Sequence, residues 1–217
     1  MLPSPSRSCR SRRGFTLVEA VIASALALLL LSSAVLAARG GMGAFRATQD
    51  ASDAEARVRR ALDRVVVELM SAGISELLPD PSTDFGGSSF QFRRAVGLDG
   101  TAPIWGPISS LAFEYGPGES DDGVDNDGNG LVDDGVLVLT RDVGGDDQRI
   151  VLCRGVRELL EGETADGDDD NGNGVIDEAG FNVRRVGTVL FVRLSVEEPV
   201  ETGTIIRTLE TSVRPRN

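Results

Sequence analysis

Residues 12–19 read Arg-Arg-Gly-Phe-Thr-Leu-Val-Glu, and an apolar stretch follows at once. The segment before it is basic, with Arg7, Arg10, Arg12 and Arg13, and ends at Gly14. From residue 15 to residue 38 the only ionisable side chain is Glu19, among residues that are otherwise apolar or small. As a helix those 24 residues reach roughly 36 Å, enough to cross a hydrocarbon core with some tilt. A carboxylate inside such a segment costs on the order of 2.5–3.5 kcal/mol at mid-bilayer, so Glu19 needs a partner or a task.

A secretory signal peptide explains this pattern poorly. Signals have a shorter apolar region, about 7–15 residues, followed by their cleavage site. Here the small residue that suits a cut, Gly14, precedes the apolar run. A plain membrane anchor accounts for the length but leaves Glu19 without a reason. Cys9 has no apolar region ahead of it, which excludes a lipoprotein signal. Arginines before a span hold that side in the cytoplasm, so residues after about 40 are expected outside it.

The basic leader, Gly14, Phe15, Glu19 and the long apolar run together resemble the amino terminus of type IV pilins and type II secretion pseudopilins. The resemblance implies that a prepilin peptidase cuts after Gly14 and methylates the new amino terminus, Phe15. It also implies that Glu19 assists assembly with other pilins or pseudopilins in a filament. The expected organisation is a leader at 1–14, a transmembrane helix at 15–38, an amphipathic continuation at 39–73 and a β-rich periplasmic domain at 74–217.

The rest of the composition narrows the chemistry. Cleavage after Gly14 leaves 203 residues, of which about 145 are available for one modest domain. There is no histidine, and once the leader is gone Cys153 is the last cysteine, so no intramolecular disulfide can form. With the usual general bases and transition-metal ligands so scarce, an enzyme is not expected. All 22 cationic side chains are arginines, and the chain without its leader has 18 of them against 34 acids, a net charge of −16. Fifteen of those acids fall in residues 118–135 and 161–180, which contain no arginine between them, so the body of the domain is near neutral. That balance argues against binding nucleic acid, which needs clustered cations.

Residues 39–43, Arg-Gly-Gly-Met-Gly, are a weak point for a helix, read equally well as a membrane-exit loop or as a hinge. From 44 to 72 helix formers return, with Val58, Ala61, Leu62, Val65 and Leu69 on one stripe. Asp53 with Arg57 and Glu55 with Arg59 are spaced as i,i+4 ion pairs, and Gly73 is a candidate stop. Beyond residue 88 the period shifts towards 2, predicting strands at 89–93, 108–115, 136–141, 149–153 and 181–185. A terminal hairpin is predicted from 186–197 and 204–214, connected through Pro199 and Gly203. The fold class expected is α+β: a long amino-terminal helix, membrane-spanning and then amphipathic, packed on an antiparallel sheet as in pilins. Residues 56–73, 108–115 and 213–217 are loosely similar to the J-type pseudopilin and W-type minor pilin group.

Two acidic loops, at 121–135 and 165–179, stand out. Residues 122–134 are Asp-Gly-Val-Asp-Asn-Asp-Gly-Asn-Gly-Leu-Val-Asp-Asp; 44 residues later, 166–178 are Asp-Gly-Asp-Asp-Asp-Asn-Gly-Asn-Gly-Val-Ile-Asp-Glu. Oxygen-bearing residues alternate before a glycine: Asp125, Asp127, Asn129, then Gly130; and Asp169, Asn171, Asn173, then Gly174. This is how a calcium loop of the EF-hand kind begins, with Leu131 and Val175 placed to offer backbone carbonyls. Position 12, where such a loop has its bidentate glutamate, is Val136 or Gly180. The last ligand is therefore expected from Asp133 or Asp134 in the first loop and from Asp177 or Glu178 in the second, with Asp122 and Asp166 in reserve. Short Asp-rich loops of dockerins and thrombospondin-type repeats are similar. Acidic turns without an ion prefer the same residues, but the ordered repeat favours one or two calcium ions over that reading, and over magnesium, which keeps more of its waters.

The function expected is that of a minor pseudopilin of a type II secretion-like system. It would be held in the inner membrane with its amino terminus cytoplasmic, then incorporated into a periplasmic pseudopilus. The alternative is a minor type IV pilin that acts in pilus assembly, adhesion or ligand binding at the tip.

Overall fold

The computed structural model describes Gly14 and residues 16–79, 88–172, 175–200 and 203–215. Residues 1–13 of the leader, Phe15, Asn173 and Gly174 lie outside the described residues. One helix, α1, runs Leu17–Met70, and residues 39–43 are helical within it, so neither a loop nor a break is present at that point. The chain divides into two compact units after Arg46.

In the first unit every described residue is exposed, including Leu28, Leu29, Leu30 and Leu31. A window of α1 reaches a mean hydropathy of 2.5, and the helix is long and apolar enough to cross a membrane. So large an uncovered apolar surface is unstable in water and fits a membrane-anchored pilin.

Among the described residues the second unit holds the rest of α1 and seven strands: β1 (Ser89–Asp99), β2 (Ala102–Tyr115), β3 (Gly135–Arg141), β4 (Gln148–Val156), β5 (Phe181–Val186), β6 (Val189–Val200) and β7 (Gly203–Val213). All pairings are antiparallel, in the order β1-β2-β3-β4-β6. β6 is the organising strand. Its residues 189–194 pair with β5 and Val196 pairs with Val156 of β4, so β4 and β5 share one edge; β7 takes the other.

The expected helical stripe is the face that packs on the sheet. Val58, Ala61, Leu62, Val65 and Leu69 are buried together with Ala54, against Phe90, Phe92, Leu111, Leu137, Leu139, Phe181, Leu190 and Leu194. Cys153 belongs to the same core, and burial pushes its thiol up to about 11.

Four local expectations are corrected. Arg57 reaches Glu198 of β6 instead of Asp53, while Glu55 and Arg59 do pair, at 2.7 Å. Val186 ends β5 instead of opening the terminal hairpin, because Gly187 (φ +61°) turns the chain before β6 begins at Val189. Pro199 lies inside β6, opposite Thr204, and not in the connection. Gly73 has an extended backbone (φ −84°) past the end of α1. A Cβ there would come within 2.5 Å of the Trp105 ring, so close packing, and not helix capping, calls for glycine.

Candidate functional site

Two regions merit attention, and they are built differently. At the amino terminus Gly14 is exposed, and a Cβ added there would touch nothing. Thr16 begins the helix: its amide and its hydroxyl both donate to Glu19 Oε2 at 2.9 Å, and Glu19 N donates to Thr16 Oγ1 at 3.3 Å. This is a capping box, Thr-x-x-Glu, which satisfies amides that an α-helix leaves unpaired at its start. The spacing of Thr16 and Glu19 in the sequence was signal enough for it. Glu19 therefore has a local hydrogen-bonding task in addition to any role between subunits.

The acidic loops span β2 to β3 and β4 to β5. Gly135 pairs with Val156, so both leave the same end of the sheet. Their backbones follow one design. Gly116 N donates to Asp134 O at 3.0 Å and Leu160 N to Glu178 O at 2.8 Å, closing each loop at its base. Asp133 and Asp177 both take the left-handed conformation, φ +51° and +46°, as do Gly123 with Gly167 and Gly128 with Gly172. Leu131 and Val175 are buried and anchor the loops in the domain.

The candidate ligands separate into two groups. In the first loop Asp125 accepts from the amides of Gly128 (2.7 Å), Asn129 (3.1 Å) and Gly130 (2.9 Å), and Asp127 accepts from Asn129 N at 2.9 Å. Asn129 Oδ1 accepts from Leu131 N at 2.8 Å, and its Nδ2 donates to Asp134 at 2.9 Å. Asp133 turns the other way, to the amides of Asp122 (3.3 Å) and Gly123 (2.9 Å), and lies in a separate acidic group with Asp121 and Glu158. The second loop repeats the division. Asp177 accepts from Asp166 N and Gly167 N, whereas Asn171 Nδ2 donates to Glu178 at 3.2 Å. Asp122 and Asp166 each cap an amide two residues on. Asp134 and Glu178, not Asp133 and Asp177, thus stand with the alternating oxygens.

Position 12 is unusable for steric reasons. Val136 is a buried residue of β3, and a Cβ on Gly180 would sit 2.0 Å from the Arg157 carbonyl. Another acid joins the hydrogen bonds of each loop, and the motif reading misses it. Glu119 accepts from Asn126 N (2.9 Å) and Asp127 N (2.7 Å), and Glu163 accepts from Asn171 N (3.1 Å). The 44-residue repeat begins upstream, at Gly118-Glu119-Ser120 and Gly162-Glu163-Thr164, and that was the available signal. One oxygen from each of Glu119, Asp125 and Asp127 lies within 4.8 Å of the others.

The electrostatics match this crowding. Burial, reinforced by the charges of Asp127, Glu119 and Glu197, raises the Asp134 carboxyl above its usual range, against a lowering hydrogen bond from Asn129. Tyr115 donates to Glu158 at 2.6 Å; burial, that bond and the charges of Glu158, Asp121 and Asp133 push its phenol up. In the first loop Arg57, held by Glu198, and Arg154 line a cleft with Asp127, Asn129 and Asp134; in the second, Arg193 donates to Glu178 at 3.1 Å. A dense set of oxygen donors that outnumbers the cations beside it suits a hard divalent ion.

Residues 9–35 match the prokaryotic N-terminal methylation motif. No curated protein and no solved structure matches the chain. The motif covers the end of the basic leader, the residues around Gly14 and most of the apolar run, and leaves the β-rich unit to be interpreted from its own geometry.

Proposed function

We propose, from the premise that this chain is a type IV pilin-like protein, that it is a minor pseudopilin of a type II secretion-like system. Prepilin peptidase removes the leader after Gly14 and methylates Phe15, and the exposed part of α1 holds the protein in the inner membrane. Other pseudopilins then receive that helix into a periplasmic filament that supports protein export. One observation supports this most: the apolar helix is uncovered along residues 17–46 and begins inside the methylation motif, three residues after Gly14. A helix of that kind has two suitable environments, lipid and the packed helices of a filament. The motif points to a structural protein, and no catalytic role is proposed. Mass spectrometry of the chain extracted from membranes tests the reading. The expected product starts at N-methyl-Phe15; an intact Met1, or a cut beyond Ala38, overturns it. Neighbouring genes for a secretin and a secretion ATPase are expected, whereas pilus-retraction genes would favour a minor type IV pilin acting at the tip.

We infer further that the acidic loops bind calcium, one ion in each. Support comes from the repeated backbone conformation and from oxygen donors that outnumber nearby cations. Ligands proposed for the first ion are Asp125, Asp127, Asn129 and Asp134 with the Leu131 carbonyl; for the second, Asp169, Asn171, Asn173 and Glu178 with the Val175 carbonyl. Asp133 and Asp177 serve the loops by holding backbone amides. An ion bound only by the folded state stabilises it by about 2.7 kcal/mol at a hundredfold excess over Kd. The full chain in detergent should therefore melt higher in calcium than in chelator, and Asp125→Ala with Asp169→Ala should remove the difference. Equal melting in both conditions, without heat of binding, overturns the calcium reading and leaves the pilin reading untouched.

A further inference from the structure

The structure presents the same electrostatic anomaly twice. Glu119 is 8% exposed and Glu163 is 5% exposed. Oε1 accepts two backbone amides of its own loop in Glu119 and one in Glu163, while Oε2 of each is buried and accepts no hydrogen bond among the described residues. A buried carboxylate oxygen without a donor bears its full desolvation cost. One such atom could be an accident of packing. Two, at equivalent places in a 44-residue repeat, indicate a shared purpose.

The backbone around them is built alike. Glu119 N donates to Gly116 O at 3.0 Å, and Glu163 N to Leu160 O at 3.1 Å. The preceding residues, Gly118 and Gly162, have φ of +99° and +93°, a region that favours glycine. A Cβ on Gly118 would lie 3.8 Å from the Asp127 Cβ, and one on Gly162 would lie 3.6 Å from the Asn171 Cβ. Each glutamate is thus set beside the third position of its loop.

We propose that Glu119 and Glu163 are the opening ligands of the two loops, each giving Oε2 to a calcium ion, so that each metal-binding unit starts six residues before its first aspartate. The inference rests on the calcium reading above. Calcium holds its oxygens at about 2.3–2.6 Å, so two oxygens on one ion are up to about 5 Å apart. The 4.8 Å limit on the grouped Glu119, Asp125 and Asp127 oxygens meets that condition. The glutamate supplies from upstream the carboxylate that Val136 and Gly180 cannot supply at position 12. The loops also differ in strength. Where the first has Asp127 the second has Asn171, and Glu178 is already shared with Asn182 (2.5 Å) and Arg193 (3.1 Å). Fewer free carboxylates weaken a calcium site, so the first loop binds more tightly.

Calorimetric titration of the full chain in detergent with calcium chloride tests this, using the native protein, Glu119→Gln, Glu163→Gln and the double variant. Glutamine keeps an acceptor for the loop amides, so the fold survives in chelator while the charge is lost. The native chain should bind two equivalents in two affinity classes. Glu119→Gln should weaken the tighter class at least tenfold, Glu163→Gln the weaker class, and the double variant should show neither. In chelator each variant should melt at or above the native temperature, because an unpaired buried charge has gone. Native stoichiometry and affinity in the double variant overturn the proposal while the loops remain calcium sites. Loss of binding together with lower melting in chelator also overturns it, in favour of a purely structural role. A native chain that binds no calcium removes this inference and the calcium reading together.

Discussion

Glu68, on α1, is 2% exposed, and its Oε1 accepts from Nη2 of Arg141 in β3 at 2.5 Å. Arg64 meets the same oxygen at 2.9 Å and Arg94 of β1 lies 3.1 Å from Oε2, so one carboxylate of the helix faces three guanidinium groups, two of them from the sheet. This is an ionic clamp within an otherwise apolar helix–sheet contact. Replacing one partner in a buried ion pair costs about 3–5 kcal/mol because the other charge is stranded. The arginines here are 27–44% exposed, so solvent recovers part of that cost. Glu68→Ala is expected to lose about 2–3 kcal/mol, read by denaturant unfolding with Trp105 fluorescence as the probe. A change under about 0.5 kcal/mol would show that the clamp contributes nothing net.

Glu19 has a capping task and a charge, and two substitutions separate them. Glu19→Gln keeps an acceptor for Thr16, whereas Glu19→Ala leaves the Thr16 amide and hydroxyl without theirs and weakens the helix start. If the carboxylate pairs with the amino group of Phe15 on a neighbouring subunit, both variants should be processed normally, and both should fail to enter filaments. Pairing offsets the burial of two charges, and glutamine has no charge to offer. Cross-linking of subunits in membranes reads the outcome. Normal assembly of Glu19→Gln would reduce Glu19 to a helix cap.

Asp134 predicts a pH dependence whose sign can be worked out. Its carboxyl is raised in the folded state, so the fold binds this proton more tightly than the unfolded chain does. Without metal, ionisation at Asp134 therefore destabilises the fold at neutral pH, and the penalty disappears as pH falls through the raised value towards the ordinary Asp value of about 3.9. In chelator, Asp134→Asn should melt above the native chain at pH 7, with the gap closing as the pH approaches about 4. In calcium at pH 7 the order should reverse, because a ligand charge is missing. Melting curves across that range check both signs, and a gap independent of pH would dismiss the electrostatic account.

Gly180 predicts a steric effect. A Cβ would meet the Arg157 carbonyl at 2.0 Å, while Gly180 N donates to Glu158 O and its own carbonyl accepts from Ser195 N at 2.7 Å. Neither backbone can move without breaking these bonds. Gly180→Ala should cost about 2 kcal/mol or more, within the usual range for overpacking. Thermal unfolding in chelator isolates this from metal binding; an unchanged melting temperature would mean that the loop base is free to shift.

Much of the molecule was legible because its causes are local. Whether residues 15–38 suit lipid depends on their own composition, and the stripe from Val58 to Leu69 follows from helical spacing; both appear in the structure as a helix with an uncovered apolar stretch and a buried face. The turn conformations of the acidic loops are similarly written in Asp, Asn and Gly. Alternation misled at residue 186, since Val186 and Val189 keep the apolar pattern across a turn that Gly187 makes possible.

Other features depended on residues brought together from afar. Glu68 sits in a row of apolar neighbours, and only the approach of Arg94 and Arg141 from the sheet makes its burial tolerable. Asp133 and Asp134 are adjacent in the sequence and chemically alike. The left-handed turn at Asp133 sends it to the amides of Asp122 and Gly123, and closure of the loop between Gly116 and Asp134 places its neighbour beside Asn129. Glu119 looked like one more acid before the motif until the fold buried it next to Asp125 and Asp127. The sequence by itself determined which segment suits a membrane and which segments turn; the tertiary structure decided which charges face one another, because that depends on burial and on contacts between distant residues.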